Sequence, residues 1–285
     1  MQCERTIDSG GAQLCAQAFG SPSRPTVLLV AGTSCSMDWW PPDFCTTLAG
    51  RGFHVLRFDQ RDTGRATYDP PGQPGYSLPD LVGDALAVLD AYGVASATWV
   101  GFSQGGWIGQ LAALDHPARV SELVLMSTRP TGHGPADADL PEVTDELLQA
   151  WAQVAEPDWR DEDEVVDYLV AGERSLAAEP FDEPGARAVA EACVSRAHQV
   201  RSAVVNHPMA EQGPRWRERL DRVRVPTLVL HGDRDPLFPL DNAVASAKEI
   251  PGARLVVLPG VGHELPRRVW PQVVEHVATG AGDPH

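Results

Sequence analysis

The residues best suited to chemistry surround Ser103, in the sequence Gly-Phe-Ser-Gln-Gly-Gly at 101–106. A short strand-like run at 97–100 precedes this motif, and residues 107–114 follow it with apolar positions at helical spacing. The serine therefore lies where a strand turns sharply into a helix, the context in which a G-x-S-x-G motif exposes a nucleophile. Side chains on the flanking glycines would collide with the tight backbone. An incidental serine in a small-residue turn is the alternative, and the strand–turn–helix context favours the nucleophile.

A serine hydroxyl needs a base to remove its proton, and a loop histidine is the predicted base. In this class of motif the chain order is serine, then acid, then histidine. Only His263 lies on a loop directly after the last predicted strand, at 254–258. The acid should follow the strand at 226–231, where Asp233 and Asp235 both lie on the loop. Physical reasoning does not separate the two, because aspartate also forms turns.

Two backbone N–H groups are predicted to bind the negative charge that develops on the substrate oxygen. The helix that follows the elbow offers the N–H of Gln104 at its positive end. A second N–H should come from the loop after an earlier strand. The strand at 26–30 leads into Gly32 and Thr33, where glycine permits close approach and the Thr33 N–H can point at the reacting carbon. Aligned donors of this kind contribute about 3–4 kcal/mol each to the transition state.

The chain has eight tryptophans, and three of them lie close in sequence to these predicted site residues. Trp39 and Trp40 follow the loop that carries Thr33, and Trp107 follows the nucleophile. Their rings could line an apolar pocket for a flat, bulky substrate, so we predict that they bind substrate. The alternative is that each ring packs in the core.

The order of the predicted elements indicates an α/β fold with a mostly parallel, doubly wound sheet. Continuous apolar runs, typical of strands buried on both faces, predict strands at 26–30, 54–58, 97–100, 122–126, 226–231 and 254–258. The segment 129–223 has no strong strand pattern and several helical ones. We therefore predict a core of residues 1–128 and 224–285. The segment 129–223 would be inserted in it as a helical cap over the carboxyl ends of the strands, where ligands bind in such sheets.

Composition limits the partners. A formal net charge of -16 over 285 residues argues against a nucleic-acid partner and against an anionic membrane surface. No paired cysteine motif, H-E-x-x-H or G-x-G-x-x-G after a strand occurs, so neither a metal nor a cofactor is predicted. The five cysteines are scattered: Cys3, Cys15, Cys35, Cys45 and Cys193. Without a signal-peptide pattern or a stretch of transmembrane length, a cytoplasmic protein that acts on a small molecule is expected.

Five segments together resemble the α/β-hydrolase superfamily, and the match spans nearly the whole chain outside 129–223. These segments are 31–33, 59–65, 101–106, 231–236 and 260–263. In that family the acid lies four residues before the second proline of its loop, which is Pro239 here. The resemblance therefore selects Asp235 over Asp233 as the acid.

Within the superfamily, the loop 61–65 and the run 84–90 look most like aclacinomycin methylesterase and its relatives, which hydrolyse a methyl ester on an anthracycline. The stretch 105–110 is similar to enol-lactonases and cofactor-free perhydrolases. The resemblance implies a serine hydrolase of secondary metabolism that cleaves a carboxylic ester. The Ser103, His263 and Asp235 side chains would then be nucleophile, base and orienting acid. Lactone opening or another cofactor-free reaction in this site, and ligand binding by a receptor on this fold, remain as alternatives.

Overall fold

The computed structural model describes residues 4–280, and one eight-stranded sheet forms its centre. The strands are β1 (Arg5–Ser9), β2 (Ala12–Phe19), β3 (Thr26–Val30), β4 (His54–Asp59), β5 (Ala97–Phe102), β6 (Val120–Met126), β7 (Thr227–Gly232) and β8 (Arg254–Leu258). They lie in the order β1-β2-β4-β3-β5-β6-β7-β8. The pairs β1–β2 and β2–β4 are antiparallel, and every other pair is parallel. The sheet is therefore mostly parallel, as the sequence predicts.

The central strands are buried on both faces, which explains their continuous apolar sequences. Every residue of β3 and β7 is buried. The predicted strands at 26–30 and 254–258 match β3 and β8 residue for residue. At one edge β1 and β2 form a hairpin whose turn residues, Gly10 and Gly11, both have positive φ. Glycine adopts this conformation without steric cost.

Helices pack on both faces of the sheet. The helices α2 (Leu78–Ala91), α3 (Gln104–Asp115) and α8 (Asp241–Glu249) contribute to the apolar core on one face. On the other face the core includes α1 (Pro42–Gly50) and α9 (Trp270–Thr279). This is the doubly wound arrangement, in which the parallel strands open their carboxyl ends along one edge. Within residues 4–280, none of the helices has both the length and the apolar character needed to cross a membrane.

Four helices lie between β6 and β7 in the chain, inside the segment that the sequence predicts as a cap. We call them the inserted helices: α4 (Asp145–Gln153), α5 (Glu162–Leu176), α6 (Glu183–Arg196) and α7 (Val200–Met209). α5 and α6 share a small apolar core that consists mainly of valines. The inserted helices are therefore stabilised partly by contacts with one another.

A cluster of ion pairs joins α6 to the sheet. Arg196, the last residue of α6, pairs with Asp38, with Asp59 (Nη2–Oδ2 2.7 Å) and with Glu4 (Nε–Oε1 3.2 Å). The side chain of Asp59 is fully buried at the end of β4, and its carboxylate also accepts the N–H of Met37. One arginine therefore neutralises several carboxylates between the inserted helices and the sheet.

The four cysteines within residues 4–280 are free thiols, while Cys3 lies outside the described residues. Cys15 and Cys45 are buried, and burial raises the pKa of each thiol to about 12. A thiol that keeps its proton is a poor nucleophile. These two cysteines therefore behave as small buried side chains.

Candidate active site

Ser103 lies in the sharp turn between β5 and α3. Its backbone has φ 53° and ψ -118°, a strained conformation for a residue with a side chain. A Cβ on Gly101 would lie 2.1 Å from the carbonyl oxygen of Gly105, and one on Gly105 would lie 2.3 Å from the carbonyl oxygen of Val30. The steric reason predicted for the flanking glycines is confirmed. The turn is fixed further by a hydrogen bond from the Thr128 hydroxyl to the Ser103 carbonyl (2.9 Å).

His263 and Asp235 form a direct pair. The Nδ1 atom of His263 lies 2.8 Å from Oδ2 of Asp235. The other oxygen of Asp235 accepts the backbone N–H groups of Leu237 (2.9 Å) and Phe238 (2.8 Å), which hold the carboxylate in one orientation. Asp233 instead accepts the N–H of a loop glycine and is exposed. Of the two aspartates that the residues alone left open, Asp235 is the one in contact with His263.

The charge of Asp235 is stabilised despite its burial. Burial favours the neutral carboxyl, but the charge and hydrogen bond of His263, with a contribution from His231, lower the pKa of Asp235. His231 lies 3.5 Å from Oδ2 of Asp235, and its Nε2 is 2.7 Å from the carbonyl oxygen of Phe238. Burial lowers the pKa of His231, so this second imidazole is neutral at neutral pH. The carboxylate is therefore ionised and oriented toward His263.

The loop after β3 packs directly against the nucleophile turn. A Cβ on Gly32 would lie 3.3 Å from the Cβ of Ser103, so the Gly32 backbone lies close to the nucleophile. In the described part of the chain, no loop or turn hydrogen bond uses the N–H of Thr33 or of Gln104 as its donor. Both N–H groups are therefore available to a ligand beside Ser103.

The inserted helix α7 forms hydrogen bonds with this same loop. The N–H of Ser34 donates to Nδ1 of His207 on α7 (2.9 Å), and the Ser34 hydroxyl donates to the carbonyl of Ala203 (2.8 Å). Nε2 of His207 lies 2.7 Å from the carbonyl oxygen of Arg61, which assigns its proton to Nε2. Ser34 has φ 64°, so these contacts stabilise a conformation that a serine rarely adopts.

Aromatic rings surround the imidazole of His263. The ring centroid of Phe102 lies 4.9 Å from that of His263, and the centroid of Phe238 lies 5.4 Å from it. Trp39 packs on Phe102, with the two ring centroids 4.0 Å apart. The surroundings of the imidazole are therefore largely apolar, which strengthens its interaction with Asp235.

A cavity of about 360 Å³ lies between the inserted helices and the loops at the carboxyl end of the sheet. Its wall includes α5, α6 and α7 as well as Cys35, Trp39 and Glu264, which are close in sequence to Thr33 and His263. Ser103 and His263 do not line it and are only 5% and 4% exposed. The cavity therefore lies beside the candidate site, and residues next to the site in sequence form part of its wall.

The three tryptophans predicted to bind substrate have different surroundings. Trp39 lines the cavity. Trp40 is fully buried and stacks on Phe44, with ring centroids 5.5 Å apart. Trp107 packs in the core near Phe238, with centroids 6.0 Å apart. Trp40 and Trp107 do not line this cavity, and contact of the three tryptophans with a substrate stays a prediction.

Two residues near the site, His207 on α7 and Glu173 on α5, come from inserted helices in which no motif spacing links them to Ser103. His231 lies in β7 at the start of the segment 231–236, but the sequence does not predict its contact with Asp235. Within residues 4–280, no group of three or more His, Cys, Asp or Glu side chains is arranged to hold a metal ion.

Comparison with known proteins identifies the family. A family model for the alpha/beta hydrolase fold matches residues 25–266. The protein belongs to the α/β-hydrolase family. It is 34% identical over 281 residues to a rhodomycin D methylesterase of Streptomyces sp. strain C5, and the alignment covers 93% of each chain. Because the protein belongs to this family and is similar to this methylesterase over nearly its whole length, it is a carboxylic ester hydrolase, as the sequence predicts.

Solved structures agree with this assignment. A hydrolase from Pseudomonas aeruginosa PA01 is 28% identical, with a TM-score of 0.74 over 96% of each chain. An enol-lactonase from Burkholderia xenovorans LB400 is 21% identical and has a TM-score of 0.75 over 96% of this chain and 98% of its own. At that identity the enol-lactonase shows a shared fold. The predicted resemblance to methylesterases and to enol-lactonases is thus confirmed, in the second case at the level of the fold.

Proposed function

We propose that this hydrolase is a methylesterase in which Ser103, His263 and Asp235 form a catalytic triad. The observation that carries the proposal is the 2.8 Å contact between His263 and Asp235, on loops that follow β8 and β7, together with the strained turn at Ser103. All three residues follow the carboxyl ends of parallel strands: Asp235 and His263 follow the neighbouring strands β7 and β8, and Ser103 follows β5, with β6 between β5 and β7. They occur in the chain order expected of this motif class.

The proposed reaction begins when Oγ of Ser103 attacks the ester carbonyl and Nε2 of His263 takes the serine proton. Asp235 holds the proton on Nδ1, which leaves the lone pair on Nε2, and it balances the charge of the imidazolium. His263 then gives the proton to the departing methanol. Water attacks the acyl-enzyme with His263 again as base, which releases the acid and restores Ser103.

The N–H groups of Thr33 and Gln104 are the proposed donors to the tetrahedral oxyanion. Their support is the close packing of the Gly32 backbone on Ser103 and the position of Gln104 at the start of α3. The positive end of a helix favours a negative charge at this point. In this scheme His207 keeps the loop in place through Ser34.

The proposed substrate is a methyl ester of a bulky aromatic or polyketide-type acid. The rhodomycin D methylesterase relative supports the methyl ester. The cavity beside the site would take the acid part, and Trp39 would present an apolar surface to it. Burying that surface contributes about 25 cal/mol per Å² of apolar area removed from water. The segment 129–223 would act as a cap that encloses this part of the substrate, in a protein of the cytoplasm.

The test compares methyl esters of polycyclic aromatic acids with acetate and butyrate esters of equal intrinsic reactivity. We expect higher kcat/KM for the polycyclic esters, because binding of the remote rings helps to position the carbonyl. Trp39→Ala should reduce this preference by about tenfold or more, since it removes an aromatic wall of the cavity. The matched control is Trp151→Ala, an exposed tryptophan of α4 that does not line the cavity. Equal rates on both classes, or a preference for short acyl chains, would indicate a general small-ester hydrolase instead.

A further inference from the structure

The loop that carries His263 follows the edge strand of the sheet. Among the described residues β8 is the last strand in the sheet order, and it pairs with β7. The residues after β7 also contact the loop. The N–H of Arg234 donates to the carbonyl of Val261 (2.9 Å), and Asp233 accepts the N–H of Gly260 (2.7 Å). Because no described strand lies beyond β8, the sheet supports the histidine loop from one side only.

The chain between α5 and α6 supplies further contacts to this loop. We call residues 176–182, from the last residue of α5 to the residue before α6, the α5–α6 link. The N–H of His263 donates to the carbonyl of Leu176 (2.8 Å). A Cβ on Gly262 would lie 2.4 Å from this carbonyl oxygen and 2.7 Å from the nitrogen of Ala178. The link therefore packs against the loop at a distance that only glycine allows at position 262.

Glu264 makes a second hydrogen bond between the loop and the link. Its side chain is only 7% exposed, and Oε1 accepts the N–H of Ala178 (3.0 Å). The bond from His263 to Leu176 has its donor in the loop, whereas this bond has its donor in the link. One hydrogen bond leaves two segments free to rotate about it, while two bonds from adjacent residues fix their relative orientation. Glu264 thus sets how the link and the histidine loop lie against each other.

The contact with the link depends on Glu264 as an acceptor rather than on its charge. Glu264 also pairs with Arg268, whose Nη2 lies 3.7 Å from Oε1, and the side chain of Arg268 is partly exposed. A partly exposed pair at this distance contributes little. The N–H of Ala178, by contrast, would lose its partner if the oxygen were removed, and an unpaired backbone donor is costly away from water.

We propose that Glu264 is a positioning residue for ester hydrolysis: it docks the α5–α6 link on the loop of His263 and thereby fixes the imidazole relative to Ser103. The inference rests on the proposed function, because it takes His263 as the base. The base must lie within hydrogen-bond reach of the serine hydroxyl. Asp235 fixes the orientation of the ring, and the backbone of the loop sets where the ring lies. A displacement of about 1 Å can lower the rate by about a hundredfold.

The experiment compares Glu264→Ala, which removes the acceptor, with Glu264→Gln, which keeps an oxygen for the N–H of Ala178 and removes the charge. The substrate is 4-nitrophenyl acetate, because its acyl group is too short to occupy the cavity that Glu264 helps to line. We expect Glu264→Ala to lower kcat by about tenfold to a hundredfold, with KM within about twofold. Glu264→Gln should lower kcat by about threefold at most.

A double-mutant cycle identifies the bond through which Glu264 acts. Ala178→Pro removes the N–H that Glu264 accepts, and Ala177 already has the extended backbone (φ -81°, ψ 155°) that a following proline requires. We expect Ala178→Pro to lower kcat by about as much as Glu264→Ala. The double variant should lose at most about twofold more than either single variant, because both changes break the same bond.

The control is Asp161→Ala at the other end of α5. Asp161 caps this helix by accepting the N–H groups of Asp163 and Glu164, so its loss weakens α5 without touching the histidine loop. This variant should unfold at a lower denaturant concentration and keep kcat within about twofold of wild type. Circular dichroism and denaturant unfolding of every variant separate a loss of positioning from a loss of folded protein.

Unchanged kcat in Glu264→Ala would overturn the inference, and so would equal losses in Glu264→Ala and Glu264→Gln. Losses that multiply in the double variant would mean that the two residues act separately. If Glu264→Ala does not fold, Ala178→Pro alone must show the loss of kcat, and wild-type kcat in that variant contradicts the inference. A failure of the proposed function would appear differently, as a fluorophosphonate adduct away from Ser103 or as no preference for polycyclic methyl esters in the unmodified enzyme.

Discussion

The carboxyl end of the sheet and the inserted helices contribute to the candidate site in different ways. At the sheet, backbone contacts hold Ser103 in its glycine turn and Asp235 between two N–H groups. The inserted helices reach the same region through side chains such as Arg196 and His207, and through a few backbone carbonyls, such as that of Leu176, which accepts the N–H of His263 (2.8 Å). Backbone contacts persist when side chains change, whereas a contact made by one side chain is lost in a single substitution. We infer that the sheet supplies the reacting groups and that the inserted helices adjust their placement and the substrate they receive.

Asp235, which is buried, and Glu173, which is partly buried, differ in their charge. Hydrogen bonds and the charge of His263 lower the pKa of Asp235 although burial opposes them. Burial dominates at Glu173 and raises its pKa to about 7. At neutral pH Asp235 is therefore ionised, while a pKa near 7 leaves Glu173 divided between its neutral and ionised forms.

The largest effect is expected from Asp235→Asn. This change removes the carboxylate that orients His263, so kcat on a methyl ester should fall by about 10⁴ with the fold retained. Asp233→Asn is the matched control on the same loop, because Asp233 contacts only a backbone N–H at the surface. Steady-state kinetics, with circular dichroism as the check on folding, would measure both. The reverse order of the two effects would make Asp233 the acid.

A smaller effect, on stability, is expected from Arg196→Met. It leaves the buried carboxylate of Asp59 without its arginine and Asp38 with Arg57 alone (3.8 Å), which should lower the free energy of unfolding by about 3–5 kcal/mol. Arg174→Met is the control on α5, since its pair with Glu183 is exposed and contributes about 0–1 kcal/mol. Denaturant unfolding would measure the difference. Equal losses in the two variants would mean that Arg196 does not anchor the inserted helices.

The loss caused by Arg196→Met should depend on pH. Burial raises the pKa of Asp59, and Arg196 is the main group that opposes this increase. Without the arginine, the folded-state pKa rises further above the unfolded value, so the folded state binds its proton more tightly. The stability that protonated Asp59 contributes to the variant is therefore greatest at low pH, and it is lost as the pH rises through the folded-state pKa. The variant should therefore be closer to wild type at about pH 5 than at about pH 8.

The sequence predicts the parts of this protein that depend on local pattern. The pattern predicts β3 to the residue because a strand buried on both faces is a continuous apolar run, and it predicts the apolar run of β8 equally well although β8 is a partly exposed edge strand. The pattern predicts Ser103 because the sharp turn requires glycine two residues before it and two residues after it, at Gly101 and Gly105. The choice of Asp235 over Asp233 needed the family resemblance. Two loop aspartates are chemically alike until the position of the histidine is known.

The rest depends on contacts that no local pattern contains. Trp39 and Trp40 are adjacent in sequence, yet one faces the cavity and the other is fully buried in the core. Glu173 lies in a helix with several acidic residues, and only the packing of that helix on the cavity distinguishes it from the exposed Glu162. Single side chains of the inserted helices acquire their roles from tertiary packing, so spacing along the chain does not reveal them.

The most direct test of the central claim is covalent labelling of the nucleophile. The unmodified protein is treated with a fluorophosphonate, and mass spectrometry of the intact chain and of its peptides locates the adduct. The account predicts one adduct per chain, on Ser103, together with loss of ester turnover. Ser103→Ala should lose the adduct and the turnover together while it keeps its fold. An adduct on another residue, or ester turnover by Ser103→Ala, would contradict the account.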